Sequence, residues 1–201
     1  MNKNLPLSNI VVLDLTNVLS GPFATQILSD LGAEIIKVEK PSGDDSRKFG
    51  PFIKKRSSYF ISLNRGKKSI IVDFNNEEDK KIFKKLLAIS DVIIDNFKPG
   101  TLEKYGFSSS YLKKNFPSLI QTKISGFGET GPLKENPAYD MIVQAMGGIM
   151  SITGKDKNET YRVGSSIGDI VAGLYAVIGV LTQIIFRNQS QKGSRLDLSM
   201  L

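Results

Sequence analysis

Short apolar runs and longer apolar-periodic stretches alternate along the chain, and their order predicts strands interleaved with helices. Residues 10–15 form a compact apolar run, read as a buried strand. A helix opens at Gly21-Pro22 and keeps its apolar spacing through Leu31, with proline near the first turn and Gly32 at the stop. Residues 34–38 give a second strand, and the short exit turn makes this a βαβ unit with parallel strands. Residues 40–65 read as a long polar and aromatic loop at the carboxyl end of a parallel strand, a natural place for a binding element. Three further strands follow at 69–73, 92–95 and 119–124. Between them lie a charged amphipathic helix over 77–88, a turn at Pro99-Gly100 within 98–105, and a short helix over 108–115. Residues 125–137 form a glycine-rich loop, followed by an apolar helix over 139–150 and a hairpin-like stretch over 151–163. A long helix over 168–188 and a strand over 195–201 complete the pattern. The order predicts a doubly wound, mostly parallel, Rossmann-like α/β sheet. Ending on an apolar strand predicts a domain that is incomplete as it stands.

Composition narrows the chemistry. The 201 residues, 40% hydrophobic and 23% charged, fit an ordinary globular domain. With no cysteine, disulfides, thiolate metal sites and thiol nucleophiles are excluded. With no histidine, the usual general base and commonest metal ligand are missing from the chain. Acid–base or nucleophilic work falls to Asp, Glu, Lys, Tyr or Ser. The formal charge of +7 favours anionic partners, but the cations are scattered and form no basic arm, so no nucleic-acid partner is expected. The first six residues lack the apolar core of a signal peptide. Residues 170–186 are at the short limit for spanning a bilayer and include Thr182 and Gln183, which favours a helix buried in a soluble, cytoplasmic domain.

Several positions could carry chemistry. The first strand-to-helix turn, DLTNVLSGP, has no G-x-G-x-x-G, and no P-loop occurs, yet a helix N-terminus there can face a phosphate. The alternative is an ordinary turn capped by Thr16 or Ser20. Lys37, Lys40, Arg47, Lys67 and Lys68 lie near predicted strand ends and could gather around a phosphate, or each could be a surface charge. Asn96-Phe97 could read and stack on a ring, or simply cover the core edge. Tyr139-Asp140 opens a helix, with Asp140 favoured there by the helix dipole. Asp169 stands alone ahead of residues 171–186, which carry no charge. It is either a cap or a nucleophile held ionised by the dipole and local N–H groups, able to attack an activated acyl group. Gly164, Ser165, Ser166 and Gly168 leave room around it.

Taken together, the segments resemble the class III CoA-transferases of the CaiB/BaiF type, which include formyl-CoA and carnitine CoA-transferases. The matching stretches are residues 12–47 (VLDLTNVLSGPFATQILSDLGAEIIKVEKPSGDDSR), 58–73 (SYFISLNRGKKSIIVD), 91–106 (DVIIDNFKPGTLEKYG) and 124–131 (ISGFGETG). Residues 138–154 (AYDMIVQAMGGIMSITG), 162–175 (RVGSSIGDIVAGLY) and 192–201 (KGSRLDLSML) complete them. The resemblance covers the front half of the family's pattern, so residues 1–201 are expected to be the N-terminal part of the large CoA-binding domain, without the small domain and the C-terminal return segment. It implies that Asp169 is the catalytic carboxylate and that Tyr139 stands beside it. Val18, Leu19 and Ser20 match the turn that holds CoA, while Lys40, Val72, Asn96, Phe97 and Lys104 match other CoA-contacting positions. The implied reaction passes through an aspartyl anhydride and an aspartyl-CoA thioester. It needs no metal or resident cofactor, with acyl-CoA and a small carboxylic acid as substrates and an interlocked homodimer as the full-length assembly.

Three departures qualify the resemblance. Asn17, also at a CoA-binding position, stands where relatives usually carry Arg or His. Pro137 and Asn75 replace lysines of some transferases, and the family's glycine-rich loop and small domain lie beyond Leu201. The family also contains α-methylacyl-CoA racemases, which pair an aspartate with a histidine. Here that position is Tyr139, a poor base at an ordinary pKa near 10. A non-catalytic CoA-binding module is the other alternative.

Overall fold

The computed structural model describes residues 4–156 and 158–201. Residues 1–3, the start of the segment read for a leader, and residue 157, inside the hairpin-like stretch, lie outside the described residues.

The chain runs β1 (Val11–Asp14), α1 (Ser20–Asp30) and β2 (Glu34–Glu39), as its first βαβ pattern predicts. Residues 40–65 are not a loop throughout. They hold a 3-10 turn (Asp45–Lys48), a small hairpin of β3 (Phe52–Ile53) and β4 (Arg56–Ser57), and α2 (Ser58–Asn64). The Ser57 hydroxyl caps α2 by accepting from the Phe60 N–H, and the Arg47 guanidinium sits 3.8 Å over the Phe60 ring. Tertiary contacts of this kind leave no mark on hydrophobic periodicity. Next come β5 (Lys68–Ile71) and α3 (Glu77–Ile89), whose cap Asn76 accepts from Glu78 and Asp79 N–H and whose first turn is acidic. β6 (Val92–Asp95), α4 (Thr101–Lys104), α5 (Ser109–Asn115) and β7 (Ile120–Ser125) follow. α6 (Asp140–Met146) ends earlier than predicted, because Gly148 turns left-handed and the chain tightens into a 3-10 turn. β8 (Gly154–Asp156) and β9 (Glu159–Thr160) form a second hairpin, before α7 (Ile167–Ser190) and β10 (Arg195–Ser199).

The described residues make a six-stranded sheet in the order β10-β7-β6-β1-β2-β5, every pairing parallel. Alternation along the strands feeds two cores. Val12, Ile35, Ile94 and Ile120 pack with Ala24 and Leu28 of α1 and Ala172, Ala176 and Val180 of α7. Leu13, Val38 and Ile93 pack on the other face with Phe83 and Leu87 of α3 and Leu112 of α5. The sheet is therefore wound both ways from β1, and the strand order reverses between β1 and β6. Ligand crevices of such sheets open at that point, beyond the carboxyl strand ends.

α7 is long and apolar enough to cross a membrane by length and composition. It differs from the expected fully buried helix: one side packs on α1 and the sheet, while Leu174, Tyr175, Ile178, Ile185 and Phe186 are exposed on the other. A segment apolar all round carries no sign of which face is covered.

α1 and α7 cross closely because Gly173 has no side chain. A Cβ there would lie 2.8 Å from the Ser20 carbonyl oxygen. Gly173→Ala is expected to destabilise the fold by about 1–3 kcal/mol, measured as a lowered Tm. Gly179→Ala is the control, since its Cβ would meet only the movable Leu196 side chain at 3.0 Å. Equal melting of the two variants would contradict a tight α1–α7 crossing.

Candidate active site

The turn after β1 is fixed from several sides. Asp14 is fully buried and accepts from the Thr16 N–H and hydroxyl at 2.9 and 2.5 Å, and from the Thr25 hydroxyl at 2.6 Å. Burial alone would push its carboxyl up, but Lys67 and Lys37, with the two hydroxyls, hold it well below the usual carboxylate range. Lys67 Nζ reaches Asp14 at 3.1 Å, the Thr25 hydroxyl at 2.8 Å, Asn64 at 2.9 Å and the Pro22 carbonyl at 3.0 Å. Asn17 and Asp45 exchange two hydrogen bonds, of 2.6 and 2.9 Å, and Asn96 exchanges two with the Asn17 backbone, of 2.9 and 2.8 Å. This clamp holds Val18 at a φ of +68°, a strained conformation for a β-branched residue.

Of the two readings of the strand-end cations, neither holds for all five, because each is paired with a carboxylate of the fold and Lys37 and Lys67 are buried. Lys37 is buried against Asp44 at 2.9 Å, Lys67 against Asp14, and Arg47 makes a two-pronged pair with Glu39. Burial would raise Glu39, but the Arg47 and Ser69 hydrogen bonds bring it down to about 2. Lys40 pairs with Asp45 at 2.8 Å and Lys68 with Glu34 at 2.5 Å, both at the surface. Cations at strand ends neutralise carboxylates of the same fold, and that pairing depends on tertiary register.

A cleft of about 560 Å³ opens at the carboxyl ends of β1, β2, β6 and β7. Asn17, Val18, Leu19, Ser20, Lys40, Asn96, Phe97, Tyr139 and Asp169 all line it. Tyr139 is 80% exposed at the rim. Val72 is buried in the second core and is not among the residues lining this cleft, and Lys104 is exposed on α4, also outside its lining. Neither Thr16 nor Ser20 caps α1: its N-cap is Leu19, without a side-chain hydrogen bond. The residue pattern did not single out Phe74, Tyr105 and Lys98, which also line the cleft, with Phe74 and Tyr105 stacked at 5.2 Å. Tyr59 of α2 was hidden in the presumed loop. Burial and then the charges of Asp169 and Asp44 push its phenol up, though Tyr59 is not among the residues lining the cleft. Among the described residues no cluster of three His, Cys, Asp or Glu could hold a metal.

Asp169 is the third residue of α7 and faces the first turn of α1. Burial and then the negative charge of Asp140 push its carboxyl up to about 6, against the opposing Ser20 hydroxyl and N–H. Asp140 is the cap of α7 supplied from α6. It accepts from the Gly168 N–H at 2.8 Å and from Gln144 Nε2 at 2.7 Å. Asp140→Asn removes the charge while keeping an acceptor, so the Asp169 midpoint is expected to fall below about 6. Carbon-13 NMR titration of the Asp169 carboxyl checks this, and an unchanged midpoint would contradict the coupling.

The family model for CoA-transferase family III matches residues 7–201. The chain is 45% identical over 197 residues to the acetyl-CoA:oxalate CoA-transferase of Acetobacter aceti, covering 97% of this chain and 51% of the relative. It is 41% identical over 203 residues to the human succinyl-CoA:glutarate CoA-transferase, covering 100% of this chain and 46% of the relative. A crystal structure of a CaiB/BaiF family protein from Brucella suis superposes with a TM-score of 0.94 at 43% identity, covering 98% of this chain and 54% of that one. The chain thus spans about half the length of the curated relatives it matches.

Proposed function

Because the chain belongs to CoA-transferase family III, we propose that the protein carrying it moves coenzyme A from an acyl-CoA thioester to a free carboxylate, with Asp169 as nucleophile. An Asp169 oxygen adds to the thioester carbonyl carbon. A C–O bond forms, the C–S bond breaks, and the CoA thiolate leaves a mixed anhydride. The thiolate then attacks the aspartyl carbonyl, releasing the donor acid and giving an aspartyl-CoA thioester. The acceptor carboxylate repeats both steps in reverse. No metal and no resident cofactor enters the scheme.

The observation that carries this reading is a partly desolvated carboxylate, raised to about 6, on the wall of a cleft at the strand-order switch point. Such a group is ionised at neutral pH yet weakly solvated, which favours attack, and a water-poor wall protects an anhydride. Exchange is therefore expected to fall as pH drops through about 6. CoA would lie along Val18, Leu19 and Ser20, with its adenine against Phe74, Phe97 and Tyr105 and its phosphates near Lys40 and Lys98. In this arrangement Asn17 and Asn96 shape the turn. The names of the two relatives pair acetyl-CoA or succinyl-CoA with oxalate or glutarate, and a short dicarboxylate is the acceptor proposed here. We assign residues 1–201 to the N-terminal part of the large domain of a cytoplasmic enzyme. The exposed apolar side of α7 supports its burial in an interlocked homodimer of the full protein. The test is to supply the full-length protein with succinyl-CoA and either oxalate or glutarate. A new CoA thioester formed without net hydrolysis supports the proposal, whereas CoA binding without exchange supports a binding module instead.

A further inference from the structure

Asp169 is reached through residues 161–166, a stretch in neither helix nor strand that ends where α7 begins. Ser166, at the N-cap of α7, supplies no side-chain cap. Two side chains of α6, one helical turn apart, hold this approach instead. Gln144 is fully buried, and its amide oxygen accepts from the Val163 N–H at 2.7 Å. Its Nε2 donates to Asp140 at 2.7 Å and also lies 3.4 Å from the Val163 carbonyl and 3.3 Å from the Ser165 carbonyl. The other Asp140 oxygen accepts from the Gly168 N–H, immediately before Asp169. Gly168 is tightly seated: a Cβ there would lie 3.0 Å from Val143 Cγ1 and 3.2 Å from the Asp140 carboxylate. Gln144 thus meets both ends of the approach, Val163 directly and Gly168 through Asp140. Only an amide offers an acceptor to one and donors to the other from a single uncharged group.

We propose that Gln144 is a positioning residue for Asp169, fixing the backbone that delivers the carboxylate to the cleft wall. The inference rests on the transferase reading above and adds to it a side chain that acts from outside the cleft, since Gln144 is not among the lining residues. A misplacement of the attacking group by about 1 Å can cost about a hundredfold in rate. The turn after β1, proposed to hold CoA, is clamped by Asn17, Asn96 and Asp45 and makes no use of Gln144. Loss of the amide should therefore strike turnover and spare CoA binding. An amide that served the fold alone would lower stability and leave the turnover of the folded protein unchanged.

In the full-length protein, Gln144→Met keeps the length of the side chain and removes its hydrogen bonds. It is expected to lower kcat by about 10- to 100-fold, with the KM for acyl-CoA within a few-fold of wild type. Amide hydrogen exchange at Val163 and Gly168 should quicken in the same variant, because both N–H groups depend on the clamp. A folded Gln144→Met that melts lower but keeps the wild-type kcat would overturn the role. So would a raised KM with kcat unchanged, or a kcat loss without faster exchange at either amide. Should Gln144→Met fail to fold, Gln144→Glu replaces it, since its ionised side chain has no donor for Asp140. An unchanged kcat in that variant would overturn the role equally. If the wild type performs no exchange of CoA between acids, the transferase reading itself fails. If the wild type is active and Asp169→Asn is not, while Gln144→Met keeps its kcat, only the Gln144 role fails.

Discussion

Asp169→Asn in the full-length protein is expected to lower acyl exchange by at least about a thousandfold, while CoA affinity stays within a few-fold of wild type. The amide has nearly the shape of the carboxylate but cannot form the anhydride. The other surfaces proposed to hold CoA, at Val18, Leu19, Phe97 and the aromatic pair Phe74–Tyr105, are untouched by the change. Asp169→Ala serves as the companion, since it leaves no polar group at that position. Exchange surviving in both variants would require another carboxylate. The near neighbour, Asp140, is buried and spends both oxygens on Gly168 and Gln144. The resemblance puts Tyr139 where the family's racemases carry a histidine, and this is the ground on which the proposed reading prefers transfer to racemisation.

Lys67→Met is expected to give the largest loss of stability. The ammonium is buried and serves Asp14, Thr25, Asn64 and the Pro22 carbonyl at once. Removing it strands the Asp14 charge in a buried site, at a cost of about 3–5 kcal/mol. That corresponds to a fall in Tm of roughly 6–20 °C for a chain of this size. The first turn of α1, whose Pro22 carbonyl accepts from Lys67, would loosen as well. The same pair predicts acid sensitivity. The Asp14 pKa is depressed on folding, so its contribution is fully present above the unfolded carboxyl value and is lost as pH falls toward the folded one. A thermal melt of Lys67→Met within a degree or two of wild type, at about neutral pH, would contradict this account of the turn.

The strands and long helices were legible because burial on both faces of a parallel sheet produces short, unbroken apolar runs. Val12–Leu13 and Val92–Ile94 are examples, feeding opposite cores by simple alternation. Asp169 was legible for a related reason, as a lone charge at the edge of an apolar helix. What escaped the sequence is what depends on partners distant along the chain. α2 is held by the Ser57 cap and the Arg47–Phe60 contact, and its apolar run over 59–63 is too short to show a helical period. The strand-end cations looked available because Asp14, Asp44 and Glu39 could not be seen to face them. The upward push on Asp169 from burial and from Asp140 could not be read from its neighbours, since Asp140 lies 29 residues away in sequence but caps the same helix.

The central claim is that acyl groups pass through the Asp169 carboxyl. The most direct measurement is to incubate the full-length protein with acyl-CoA, quench with hydroxylamine, and locate the modified residue by peptide mass spectrometry. A hydroxamate on the peptide containing Asp169, formed only when acyl-CoA is present and absent from Asp169→Asn, is the predicted result. Exchange that proceeds with Asp169 unmodified, or with the hydroxamate on a different carboxylate, would contradict the mechanism.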